Sequence, residues 1–169
     1  WPLGERARRL VTLPWKGLPA SEGQALDMAL ASGILGHFLG EEALFLTIRG
    51  RRRSGPFALT FDAPGGAVPL AVDGVQVEVD AGLEGPESLH LVEAKLGRRD
   101  NFHVRQIYYP LRMWSALLGA GTSDKPVSTV FFSYADRVFS LRRYAFDPLD
   151  RYHGLRLVQT FRQDGAALD

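Results

Sequence analysis

The spacing of apolar residues divides the chain into stretches of two different periods. Ser21 followed three positions later by Gln24 forms a capping-box pattern, and Ala25, Leu26, Ala29 and Leu30 then recur at helical spacing up to Gly33. This predicts a helix from Glu22 to Ser32. From Ala43 the pattern changes to short β-rich runs: Leu44 to Ile48, Phe57 to Phe61, Val68 to Val72, Val75 to Asp80 and Leu89 to Lys95. Asp73-Gly74, two residues that tolerate positive φ, predicts a hairpin between the third and fourth of these runs. Gly97 to Asp100 reads as a loop, with Asp100 as the N-cap of a second helix from about Asn101 to Leu118. Pro110 lies inside that helix and predicts a kink or break near Tyr108 to Pro110, because it lacks a backbone donor and crowds the preceding turn. Val127 to Tyr134, Val138 to Phe146 and Leu155 to Phe161 complete the strands, so the order is helix, strands, helix, strands.

Two of the runs carry charge in a patterned way. In Val75 to Asp80 the three Val side chains alternate with Gln76, Glu78 and Asp80, which places the two acids on one sheet face. An amphipathic edge strand with a solvated acidic side accounts for that run taken alone. The next run is different: Leu89, Leu91, Glu93 and Lys95 share a face, so an apolar strand ends on a carboxylate beside an amine. Charges in that position need a partner or a solvated cleft. Asp80 and Glu93 on successive strands could offer oxygens to a hard divalent cation, with Lys95 orienting or deprotonating an attacking water. That set suits phosphodiester hydrolysis.

Composition narrows the chemistry. At 169 residues and 46% hydrophobic, the chain is long enough for one substantial core and is read as a single domain. The absence of Cys excludes disulfides, thiolate metal sites and a Cys nucleophile. No apolar run approaches membrane-spanning length, and a soluble, cytoplasmic protein is expected. A start at Trp1 without Met suggests a piece of something longer. The net charge of +1 announces no polyanion partner, but arginines far outnumber lysines and gather at Arg49 to Arg53, Arg98-Arg99 and Arg142-Arg143. Each cluster suits either a solvated loop or phosphate contacts. His37, His90, His103 and His153 lack zinc-site spacing, Tyr108, Tyr109 and Trp114 read as core or interface residues, and Gly65-Gly66 lacks the end of a phosphate loop.

The stretches Asp80-Ala81-Gly82-Leu83-Glu84, Val92-Glu93-Ala94-Lys95 and Val104-Arg105-Gln106-Ile107-Tyr108-Tyr109-Pro110-Leu111-Arg112 resemble the PD-(D/E)xK nuclease superfamily, in particular its type II restriction-endonuclease-like branch. The likeness covers roughly Ser21 to Tyr134 and departs from the literal motif in having Val79 rather than Pro before Asp80. It implies a restriction-endonuclease-like α/β core, a central mixed sheet flanked by helices. It also implies that Asp80 and Glu93 hold Mg²⁺, with Mn²⁺ as a substitute, that the Ala94 carbonyl adds a ligand oxygen, and that Lys95 is the catalytic lysine. Gln106 matches a helix-borne glutamine near the scissile phosphate, and Glu22 is the candidate for a further acid from the first helix.

These readings together predict a Mg²⁺-dependent endodeoxyribonuclease acting on double-stranded DNA, with cutting of both strands most simply achieved by a homodimer. Arg98, Arg99 and Arg105 are expected to hold the DNA backbone, since they follow the proposed ligands closely in sequence. A repair or junction-resolving nuclease of the same superfamily, or a non-catalytic DNA-binding domain keeping the fold, would leave much the same sequence signal.

Overall fold

A computed structural model describes residues 4–98, 101–120 and 123–165. Its centre is a six-stranded mixed sheet. The strands are β1 (Phe45–Arg53), β4 (Gln76–Glu84), β5 (Leu89–Leu96), β6 (Val127–Ala135), β7 (Val138–Phe146) and β8 (Leu155–Asp164), in the order β1-β4-β5-β6-β7-β8. Only β5 and β6 of these run parallel, joined by helix α4 (Val104–Gly119) as the crossover. A separate two-stranded hairpin is formed by β2 (Phe57–Ala63) and β3 (Gly66–Val72).

One sheet face packs on α2 (Glu22–Ala31) and α3 (Ile34–Leu39). There Leu26, Ile34, Leu35 and Phe38 meet Leu83, Val92, Phe132 and Leu141. The short α1 (Glu5–Arg8) precedes them. The other face takes α4 and the β2–β3 hairpin, with Phe57, Leu59, Ile107, Tyr108 and Phe146 in one cluster and Ile48, Val79, Leu91 and Trp114 in another. The expected architecture of a mixed sheet flanked by helices is therefore present. The Ser21 hydroxyl accepts from the Gln24 amide and the Gln24 side chain accepts from Ala20 N–H, so α2 starts where the capping pattern places it.

Several sequence expectations change. The Asp73-Gly74 hairpin does not form: β3 pairs with β2, β4 pairs with β1, and Gly74, at φ +62°, donates its N–H to the Ser54 carbonyl in a connection between sheets. The tight turn lies at Pro64-Gly65 instead, closed by the Ala63–Gly66 pair. Helix α4 begins at Val104 with His103 as N-cap, three residues later than expected, and the Gln106 side chain accepts from His103 N–H at 3.2 Å. Asp100, expected as that cap, lies outside the described residues. Pro110 does not break α4; the donor it lacks would have reached the Gln106 carbonyl. Strand β1 runs on through Arg49 to Arg53, because an edge strand tolerates exposed charge that a central strand would not.

Candidate functional site

The site arises where two strands part. The antiparallel ladder between β4 and β5 has Ala81–Val92 as its last pair, one step short of Asp80 and Glu93. A register shift between β1 and β4 falls in the same place, with Gly50 opposite Val79 but Ile48 opposite Gly82. This bulge turns Ala81 and Leu83 toward the helix α2 face while Val79 packs on the α4 side, so the strict alternation expected to Asp80 stops there. Beyond the fork the first half of β4 diverges from β5, leaving a cleft of about 850 Å³. Glu22, Glu78, Asp80, Glu93, Lys95, Arg105 and Gln106 line it together with His103, Tyr109 and Tyr152.

At the floor the polar atoms are bound to one another. One Asp80 carboxylate oxygen accepts from Ala94 N–H at 2.8 Å. Glu93 Oε1 accepts from Lys95 Nζ and from Gln106 Nε2, each at 2.5 Å. Lys95 Nζ also donates to the Ala94 carbonyl at 2.8 Å and lies 3.9 Å from Glu22 Oε1. Gln106 is thus fixed at both ends, its oxygen on the helix cap and its amide on Glu93. Burial pushes the Glu93 carboxyl up to about 7, against the Lys95 hydrogen bond and with added repulsion from Asp80 and Glu22. Burial pulls Lys95 down, but Glu93, Glu22 and Asp80 outweigh it and hold the ammonium above its ordinary range. The amine is a cation set among carboxylates.

Four of the expected site residues, Asp80, Glu93, Lys95 and Gln106, therefore meet in one cleft, with Glu22 beside them. The expected metal centre does not follow. Among the described residues, no group of three or more His, Cys, Asp or Glu side chains is placed to hold a metal ion. The physical reason is visible in the donors: oxygens of three of the four expected ligands, Asp80, Glu93 and the Ala94 carbonyl, accept from N–H groups of the chain, and the fourth, Glu22, faces the Lys95 ammonium at 3.9 Å. The Lys95 ammonium takes the Glu93 and Ala94 oxygens that the cation was expected to share. This corrects the assignment of Mg²⁺ or Mn²⁺ as cofactor, and with it the expectation that the chain is a metal-dependent endodeoxyribonuclease.

Residues 11–163 match a family described as a domain of unknown function (DUF6997). The chain belongs to that family. No curated protein matches the chain. The family assignment covers every element that builds the cleft, from α2 through β5 and α4.

Around the floor the arginines fall in different places. Arg105 lines the cleft with its guanidinium 4.8 Å from the Tyr109 ring centre. Arg98 lies elsewhere, paired with Asp136 between β6 and β7, and Arg99 lies outside the described residues. Two arginines of the Arg49 to Arg53 cluster bond cleft residues without themselves lining the cleft. Arg49 donates to the Asp80 carbonyl and pairs with Asp27, and Arg51 pairs with Glu78 at 3.1 Å. His103, Tyr109 and Tyr152 were also not singled out for the site. Tyr152, in the segment after β7, is brought in by stacking on Phe61 of the hairpin and by an edge-on contact with Tyr108 of α4, and no local sequence signal marks it. Among the described residues no helix is long and apolar enough to cross a membrane.

Proposed function

We propose that the chain is a double-stranded-DNA-binding domain with a restriction-endonuclease-like core, one that holds the duplex without cutting it. The observation that carries this reading is the Lys95 ammonium bound by Glu93 and the Ala94 carbonyl. The residues that give the chain its likeness to DNA-cleaving enzymes come together in one cleft, yet their oxygens already accept hydrogen bonds from the chain itself. A domain of that kind keeps the cleft while its own ammonium occupies two of the acceptors.

The rim supplies the contacts. Arg105 lines the cleft beside Glu22, Glu78, Asp80 and Glu93, and Arg49 and Arg51 join its edge through their bonds to the Asp80 carbonyl and the Glu78 carboxylate. Phosphates are repelled by those carboxylates and attracted by those arginines, so the backbone rides on the rim. The Arg49–Asp27 and Arg51–Glu78 pairs are half exposed. Pairs of that kind are worth at most about 1 kcal/mol, so exchanging a carboxylate for a phosphate costs little.

The test is fluorescence anisotropy of a labelled duplex across a salt gradient, with the DNA length checked afterwards. Binding should weaken linearly in log affinity against log salt. Arg51→Ala and Arg105→Ala should each reduce that slope by about one unit without favouring any sequence. Absence of binding at low salt would overturn the reading, and shortened strands would overturn its non-cutting half.

A further inference from the structure

On the same sheet face as Lys95, beyond the cleft, lies a second concave surface of opposite charge character. Cross-strand partners project to the same face of a sheet, and Lys95, Ser133, Ser140 and Arg162 are successive partners on β5, β6, β7 and β8. The row spans three strand spacings, about 14 Å. In the adjacent row Glu93, Phe131, Arg142 and Thr160 are partners in the same way. The Phe102 ring stacks on Phe131 at 4.7 Å and meets Tyr144 edge-on at 5.2 Å, which closes the aromatic cover on that side. Past it, Ser133, Ser140, Arg142 and Arg162 line an open trough of about 430 Å³, with Arg98 and Asp136 at its end.

Three arginines and one aspartate among the described residues that line this trough make it cationic, where the neighbouring cleft carries four carboxylates. Arg142 and Arg162 are diagonal neighbours on adjacent strands, about 7–8 Å apart at the backbone. Two guanidinium groups at that spacing reach one phosphate together or two in succession, and the Ser133 and Ser140 hydroxyls between the strands suit the remaining phosphate oxygens. Arg98 is largely exposed and paired with Asp136 at the surface, so it can swing onto a phosphate at small cost.

We infer that this trough is a second phosphodiester contact site, along which the backbone of a DNA duplex continues from the rim of the cleft across β6, β7 and β8. The inference rests on the proposed DNA-binding function and assigns a path to the bound strand. It requires a polymer: the trough and the rim are occupied together by phosphates of one chain, so affinity should fall when the duplex is too short to reach both.

The experiment is the same salt titration on the intact protein, comparing Arg162→Ala, Arg162→Glu and Arg142→Gln with Arg51→Ala on long and truncated duplexes. Thermal melting of each variant accompanies it. Arg162 is exposed on an edge strand, so its variants decide the matter even if Arg142→Gln fails to fold. Arg162→Ala should lower the salt slope by about one unit on the long duplex and leave the truncated one unaffected, and Arg162→Glu should weaken binding further. If the wild-type protein binds and Arg51→Ala lowers the slope while both Arg162 variants keep it, the trough assignment falls and the DNA-binding function stands. If the wild-type protein does not bind duplex at low salt, both fall.

Discussion

Replacing Glu93 by Gln removes a buried charge while keeping an oxygen that can accept from Lys95 and Gln106. The wild-type carboxyl is raised from its ordinary 4.5 to about 7, first by burial and then by Asp80 and Glu22. The folded state therefore holds a proton on Glu93 that the unfolded chain has released. Between those two values folding takes up protons, so stability from this group falls as pH rises from about 4.5 through about 7, and the full cost is present above that. At about 1.4 kcal/mol per unit the cost is about 3 kcal/mol. Glu93→Gln cannot pay it, so the variant should gain on the wild type by about 3 kcal/mol between pH 4.5 and pH 8. Burial also lowers His90, against its bond to Glu41, and that group acts in the opposite direction below 6.5. It is common to both proteins and cancels in the difference. Urea unfolding at a series of pH values, with the dependence on denaturant checked to be equal, reads the difference directly. A variant-minus-wild-type difference that stays flat to within about 0.5 kcal/mol across the range would refute the raised carboxyl.

Other perturbations follow from the same contacts. Lys95→Met removes the ammonium from Glu93 and should cost about 3 kcal/mol at pH 8, as expected for breaking a buried pair; at pH 5 the loss should shrink below about 1 kcal/mol because Glu93 takes up a proton, and equal losses in urea unfolding at both pH values would contradict the pairing. Gly85→Ala would place a methyl group on the buried Glu41 carboxyl that bonds His90, so a loss of about 1–3 kcal/mol is expected, and an unchanged melting temperature would rule out that close approach.

Much of this arrangement was legible in the sequence. Strand β7 runs from Val138 to Phe146 as read, and α2 and β5 differ from their expected bounds by one residue, because each is bounded by a clear cap, turn or charge. Helix α3 was missed. In the sequence Gly33 reads as the end of the helical pattern, whereas at φ +81° it redirects the chain into a second short helix whose Ile34, Leu35, Phe38 and Leu39 are all buried. The bulge beside Asp80 escaped because alternation in β4 looks unbroken in one dimension, and it appears only when Ile48 and Gly50 are set against their partners. The metal assignment failed for a related reason. Sequence pattern shows which residues carry oxygens, but not that Ala94 N–H, Gln106 and the Lys95 ammonium already occupy them.

The most direct test of the account is to incubate the protein with supercoiled plasmid in the presence of Mg²⁺ and examine the DNA before and after removing protein. The account predicts a retarded complex that releases fully supercoiled plasmid, since the duplex is held by arginines beside a cleft whose Glu93 is already bound by Lys95. Nicked or linear plasmid, or a plasmid that is never retarded at low salt, would contradict it.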